Sequence, residues 1–237
     1  MNPPIQVLAF DVFGTVVDWH GSIMQEVKTM GLNVDPDRFA NAWRSGYKPA
    51  MSRVRQGNLG WTKIDDLHRM ILDTILEEFK VTHLSEEQKK HLNLVWHRLR
   101  PWKDSVPGLT LLKQQFKITT LSNGNLGLLA NMAKAAQLPW DLILSAEVFR
   151  HYKPDPETYL GVADIFDVPP SAVMLVAAHT DDLRAAASHG LKTAYVHRPL
   201  EYGTIQGNPM PDTSGFDYSA NSFTELAKQL EIGRAHV

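Results

Sequence analysis

The 237-residue chain contains no cysteine. Disulfides, thiolate zinc sites, iron–sulfur clusters and a cysteine nucleophile are therefore excluded, and the absence of thiols accords with a cytoplasmic setting. A charge excess is missing too: 24 Lys and Arg against 26 Asp and Glu leave a formal net charge of -2. No basic face is implied, so neither nucleic acid nor an anionic membrane is an expected partner. No apolar run approaches the ~20 residues a helix needs to span a bilayer. The opening MNPPIQVLAFDVFG lacks the basic region and long apolar stretch of a signal peptide. Internal repeats and low-complexity tracts are absent. The closing IGRAHV carries no apolar pattern, and residues 233–237 are read as a tail of vector origin without function. What remains is 43% hydrophobic, enough to bury a large core as one big domain or as a core carrying one insertion.

Residues 5–10 (IQVLAF) form a short apolar run that stops at Asp11 and is broken by Gly14, which reads as a buried strand followed by a functional loop. From about residue 21 to residue 100 the pattern is helical. Ile64, Leu67, Ile71, Leu72, Ile75, Leu76 and Phe79 fall at helical spacing, and Ser85-Glu86-Glu87 makes a helix start. Strand–helix alternation then resumes: a helix over 108–115, a strand over 117–121, a helix reaching 138, and a strand over 142–145. It continues with a helix over 156–166, a strand over 173–177, a helix over 182–189 capped by Gly190, a strand over 192–196 and a closing helix over 223–230.

Successive β–α units predict an α/β fold, a Rossmann-like parallel sheet with helices on both faces. The helical block between the first and second units reads as an inserted α-helical cap domain. The expected division is a core of residues 1–18 and 101–232 and a cap of residues 19–100. Ligands of such sheets bind at the carboxyl ends of the strands. Three polar loops fall there, at 11–15, 122–125 and 179–182.

Each loop offers chemistry beside a structural alternative. Asp11 could attack an electrophilic carbon or phosphorus and form an ester, or simply cap a turn. Thr15 and Ser122 offer hydroxyls and Asn123 an amide, able to hold a carboxylate or an anion or to serve the turns they sit in. Lys153 could keep Asp11 ionised or be solvated surface.

In order along the chain, DVFGT, LSN, YKP and DDLRAAASHG follow or adjoin strand ends. The set resembles the haloacid dehalogenase superfamily over nearly the whole chain. Phosphatases of that superfamily read D-x-D-x-T at the first motif and use the second Asp as acid/base; Phe13 stands at that position here. Their last acidic motif helps hold magnesium, and its first acid is replaced by Ala178 while Asp182 matches the second. Magnesium demands several hard oxygen ligands, so no metal and no cofactor is expected. A halide leaves without a proton, which makes the missing acid intelligible. The chain therefore looks like the L-2-haloacid dehalogenase (type II) subfamily.

That resemblance implies Asp11 as nucleophile, with Lys153, Asp182, Thr15 and Ser122 around it. It places Arg44 of the WRSGYKP segment, Asn123, Val12, Phe13 and Tyr159 at the substrate or halide, with Trp19, Tyr47 and Trp61 as candidate aromatic lining. Surface pairing for Arg44 and core packing for Tyr159 and the aromatics remain the alternatives. Members carry S-S-N where Ala177-Ala178-His179 stands here. His179 could orient or deprotonate water, or make a structural hydrogen bond. The implied activity is hydrolysis of short (S)-2-haloacids, chloroacetate and 2-chloropropionate or even fluoroacetate, to 2-hydroxy acids and halide through an aspartyl ester. A homodimer is the expected assembly. The rival readings are a magnesium phosphatase on the same fold, another carbon-displacing hydrolase, and a non-catalytic small-anion binder.

Overall fold

The computed structural model describes residues 4–234. Val7–Phe10 (β1) is followed by the short strand Val17–Asp18 (β2) and five helices: Trp19–Thr29 (α1), Pro36–Ser45 (α2), Tyr47–Arg55 (α3), Ile64–Glu78 (α4) and Glu86–Asn93 (α5). Arg100–Pro101 (β3) pairs antiparallel with β2, matching Val17 to Pro101 and Asp18 to Arg100. The chain thus leaves and re-enters the sheet region through a two-stranded ribbon, with every helix from α1 to α5 strung between its strands. The Ser105 hydroxyl donates to Val16 O at 2.6 Å and the Trp102 indole to Gly14 O at 2.9 Å, fastening the returning chain beside the Asp11 loop.

The rest alternates: Ser105–Lys113 (α6), Lys117–Ser122 (β4), Leu126–Ala136 (α7), Leu142–Ser145 (β5), Ala146–Phe149 (α8), Pro156–Phe166 (α9), Val173–Ala177 (β6), Thr180–Ser188 (α10), Lys192–Val196 (β7), Gly203–Gln206 (α11), Tyr218–Ala220 (β8) and Phe223–Arg234 (α12). Six strands form one parallel sheet in the order β5-β4-β1-β6-β7-β8. The chain runs outward from β1 through β4 to β5 and then returns to β6 on β1's other side, so the direction of winding reverses at β1. That reversal opens a crevice at the carboxyl end of β1.

Every residue of β1 is buried, as a strand covered on both faces must be. Leu8 and Phe10 pack into one apolar cluster and Val7 and Ala9 into the other, following the two-residue period of a strand. The first cluster runs on without a break through Val12, Phe13, Val16 and Val17 into Trp43, Ile64, Leu72 and Trp96 of the helical block.

The helix expected over 108–115 begins three residues earlier, at Ser105. Pro107 falls in its first turn, where a proline sacrifices no hydrogen bond. The ribbon strands β2 and β3, the edge strand β8 and α11 are additions to the expected elements. Of the expected tail, residues 233–234 belong to α12, whereas 235–237 lie outside the described residues. Among the described residues no helix is long and apolar enough to cross a membrane.

Candidate active site

Asp11 is the first residue past β1, its N–H still bonded to Val176 O of β6 at 3.1 Å. Gly14 turns the chain away at φ +86°, a left-handed conformation that suits glycine. The turn brings Thr15 back over Asp11, its hydroxyl donating to Oδ2 at 2.6 Å. The same Thr15 oxygen accepts the Ala178 N–H at 2.9 Å, tying the β1 loop to the β6 loop.

Lys153 is placed from a third strand end: Asn123, just past β4, accepts the Lys153 N–H on its side-chain oxygen at 2.8 Å. Its ammonium reaches Asp11 Oδ1 at 3.0 Å and also bonds Asp182 Oδ2. Asp182 sits in the first turn of α10, where a carboxylate is favoured by the helix dipole. Its other oxygen accepts the Tyr159 hydroxyl at 2.6 Å. The side chains of Lys153, Asp11 and Asp182 are only 7, 11 and 10% exposed.

Burial alone would raise the Asp11 carboxyl, but the Lys153 charge, His179 and the Thr15 hydroxyl outweigh it and hold Asp11 well below the usual carboxylate range. Asp182 moves the other way: burial, reinforced by the Asp11 charge, raises it despite Lys153. Burial would lower the Lys153 ammonium, yet the two carboxylates push it above its ordinary value. One permanent cation therefore serves two carboxylates unequally, and Asp182 is the more basic of them.

His179 lies between Asp11 and one further acid, Glu201. Its Nδ1 is 3.0 Å from Asp11 Oδ2 and its Nε2 is 2.8 Å from Glu201 Oε1. Burial would lower this imidazole, but the Glu201 charge and the hydrogen bonds to both carboxylates raise it to about 10. Both ring nitrogens face carboxylate oxygens, an arrangement that favours the imidazolium, which can donate in both directions. With both nitrogens engaged by carboxylates, the geometry favours the hydrogen-bonding alternative for His179 over proton abstraction from water.

Glu201 is fully buried and also accepts the Trp19 indole N–H at 3.3 Å. A Cβ on Gly14 would lie 2.2 Å from Glu201 Oε1, so the glycine also makes room for this carboxylate. Sequence reasoning missed Glu201: it stands in the irregular segment after β7, with no motif around it.

These groups open on a cavity of about 490 Å3 whose walls include Asp11, Phe13, Arg44, Tyr47, Asn123, Lys153, Tyr159, His179 and Asp182. Arg44, in the last turn of α2, lays its guanidinium 4.4 Å above the Tyr47 ring and 5.6 Å from that of Trp19. Its buried Nη1 has no hydrogen-bond partner among the described residues. Phe13 meets Tyr47 and Trp96 edge-on and adds an apolar wall. At the mouth α3 reaches the core side through Lys48–Asp181 at 3.0 Å and Arg55–Asp155 at 2.6 Å.

Four expected residues stand elsewhere. Val12 uses its carbonyl to accept the Val16 and Val17 N–H groups, which turns its side chain into the core. Ser122 is buried and accepts the Gly124 N–H at 3.0 Å, a turn role. Trp19 lies behind the cavity against Glu201 and Arg44. Trp61 is drawn away from the cavity by stacking on Tyr152, ring centroids 5.0 Å apart.

The donors do not suit magnesium. Asp11 and Asp182 are both bridged by the Lys153 ammonium, so one oxygen of each carboxylate is already engaged by a fixed cation. Ala178 supplies no side-chain oxygen where a second acid would be needed.

A family model for haloacid dehalogenase-like hydrolases matches residues 5–190. A crystal structure of an L-2-haloacid dehalogenase, 42% identical, superposes with a TM-score of 0.91 over 96% of this chain and 100% of its own. A defluorinating L-2-haloacid dehalogenase, also 42% identical, superposes with a TM-score of 0.90 over 96% of this chain and 95% of its own. The (S)-2-haloacid dehalogenase 1 of Pseudomonas sp. strain CBS-3 is 29% identical over 213 residues, 84% of this chain and 88% of that protein.

Proposed function

The chain belongs to the haloacid dehalogenase-like hydrolases, on the branch of the L-2-haloacid dehalogenases, and on that premise we propose how its residues divide the reaction. The substrate is a short (S)-2-haloacid and the products are a 2-hydroxy acid and a halide. The observation that carries the reading is Asp11, ionised and facing the cavity, with Phe13 where a leaving alkoxide would need an acid.

Asp11 Oδ1, whose one partner is Lys153, attacks C2 of the haloacid. The O–C2 bond forms as the carbon–halogen bond breaks, and its electron pair departs with the halide, inverting C2. Oδ2 stays behind on Thr15 and His179 as the ester carbonyl. Arg44, with an N–H to spare and a cationic face over Tyr47, receives the substrate carboxylate or the departing halide. In the second half, water held by Asp182 adds to the ester carbon. The elevated basicity of Asp182 suits it to take the proton.

The helical block of residues 19–100 acts as the cap, since Arg44 and Tyr47 come from it while the carboxylates come from the sheet. It excludes bulk water from the cavity, which strengthens each charge interaction inside. The activity needs no metal ion, because Lys153 supplies the positive charge between the carboxylates. Short acids bearing chlorine are the expected substrates, with fluoroacetate included because one 42% identical relative is a defluorinating enzyme. The cysteine-free sequence accords with work in the cytoplasm.

The test is a single turnover of (S)-2-chloropropionate by excess enzyme in heavy-oxygen water. The label is expected on Asp11 and not in the first lactate formed. Label in the product from the first turnover would mean direct hydrolysis and overturn the ester mechanism.

A further inference from the structure

Glu201 is a buried titratable group that neither half-reaction above uses, and unlike the buried His20, His68 and Arg198 it bonds a side chain that touches Asp11. Its side chain is wholly inaccessible, yet it is carried on an irregular segment between β7 and α11. Among the described residues its side chain meets two donors, His179 Nε2 at 2.8 Å and Trp19 Nε1 at 3.3 Å, and no backbone N–H. A carboxylate taken so far from water is costly unless it is paired, and the cation it pairs with is the ring that touches Asp11. We propose that Glu201 is a positioning residue that keeps His179 charged and aimed at Asp11 Oδ2, so that His179 and Thr15 together form the oxyanion-stabilising pair for hydrolysis of the aspartyl ester. The inference rests on the dehalogenase reading and deepens it.

Water oxygen bonds to Asp11 Cγ, one water proton passes to Asp182, and the carbonyl π pair moves onto Oδ2. The charge that develops there meets the Thr15 hydroxyl and the His179 Nδ1–H, whose resting distances to that oxygen are 2.6 and 3.0 Å. Collapse returns the pair to the carbonyl and breaks Cγ–Oδ1. The departing alkoxide takes the proton of the newly added hydroxyl, the Asp11 carboxylate is restored, and the proton on Asp182 passes to solvent. Preorganised donors at the atom where charge develops are the largest single lever in acyl transfer. In the alkylation half Oδ2 gains no charge, and the Lys153 ammonium, the strongest of the groups that keep Asp11 ionised, still sits on Oδ1 when His179 is lost.

The groups facing His179 are Asp11 from the β1 loop, Glu201 from the segment after β7, and Asp181 from its own helix; Lys153 lies across Asp11. Three acids against one cation favour the imidazolium, in line with its rise to about 10. Without the Glu201 charge, His179 would titrate closer to the ordinary value near 6.5. Hydrolysis would then fail as pH rises.

The experiment uses Glu201→Gln and His179→Gln in rapid-quench and steady-state assays with (S)-2-chloropropionate. For Glu201→Gln the first-turnover release of chloride should keep its wild-type amplitude, which also counts folded sites. Steady-state kcat should fall roughly ten- to a hundredfold, KM should fall with it, and the ester should accumulate as an intact-mass adduct. Its kcat should decline between pH 6.5 and 9 while the wild type holds. His179→Gln should show the same split without the pH dependence. Loss of burst and kcat together in both variants, or an unchanged kcat in either, would overturn the assignment. No chloride release from the wild type would instead sink the dehalogenase reading itself.

Discussion

Replacing Lys153 by Met should destabilise the fold, and in a way that depends on pH. The ammonium lies 3.0 Å from Asp11 Oδ1 and also bonds Asp182, with all three side chains at most 11% exposed. Methionine fills a similar volume but leaves two buried carboxylates with no cation between them. Removing one partner of a buried ion pair costs about 3–5 kcal/mol. At ~1.36 kcal/mol per pKa unit that corresponds to raising one carboxyl by roughly 2–4 units. The proton goes to Asp182, already raised in the wild type, because His179 and Thr15 still hold Asp11 ionised. The sign follows from that. A carboxyl raised in the folded state penalises folding at neutral pH, and the penalty fades as pH falls toward its unfolded value near 3.9. Wild-type Asp11 is depressed and contributes the opposite: stability present above that value and lost below it. Urea unfolding of both proteins, followed through the tryptophans, should give a gap of ~3–5 kcal/mol at pH 7.5. The gap should narrow by roughly 2–3 kcal/mol at pH 5. A gap below ~1 kcal/mol at pH 7.5, or one that does not narrow, would refute the reasoning about the shared cation.

Tyr159→Phe removes the 2.6 Å bond to Asp182 Oδ1; a hydrogen bond to a buried charge is worth about 1.5–3 kcal/mol. Steady-state kcat should drop roughly ten- to a hundredfold, and an unaltered kcat would dissociate Asp182 from the water step. Gly14→Ala forces a Cβ at φ +86° to within 2.2 Å of Glu201 Oε1. It should cost at least ~1 kcal/mol in thermal or urea unfolding; a variant as stable as wild type would show that Glu201 can move aside. Exhaustive dialysis against EDTA should leave halide release unchanged, whereas a loss restored by magnesium would favour a metal-dependent site.

The central strands were legible because burial on both faces writes itself as an uninterrupted apolar run, as in VLAF and VMLVA. The edge strand Tyr218–Ala220 was not: three residues of mixed burial leave no periodicity to read. At the site, Asp11, Lys153 and Asp182 belong to short motifs anchored at strand ends, and the structure brings them within bonding distance. Trp61 illustrates the limit of reading aromatics, since its partner Tyr152 lies far off in sequence and nothing local announces the stack. Glu201 illustrates it better. Its burial is created by the missing Cβ at Gly14 and by a ring nitrogen at His179, contacts between distant segments that leave no trace in its own neighbours. His179 was visible as a departure from an expected asparagine, but its charge state depends on that hidden acid.

The ribbon of β2 and β3 has a consequence for evolution. Asp18 and Arg100 are direct cross-strand partners, so the sheet meets the roughly 80 residues between them as though they were the tip of a hairpin. Closing a loop costs only ~0.6 kcal/mol more for each doubling of its length, so an 80-residue excursion is about 2–3 kcal/mol dearer than a five-residue one. The scaffold that carries the carboxylates can therefore accept longer, shorter or differently shaped lids at nearly constant stability. Arg44 and Tyr47 ride on the exchangeable part and Asp11, Lys153 and Asp182 on the fixed part, so one wall of the cavity can drift while the carboxylates stay where they are.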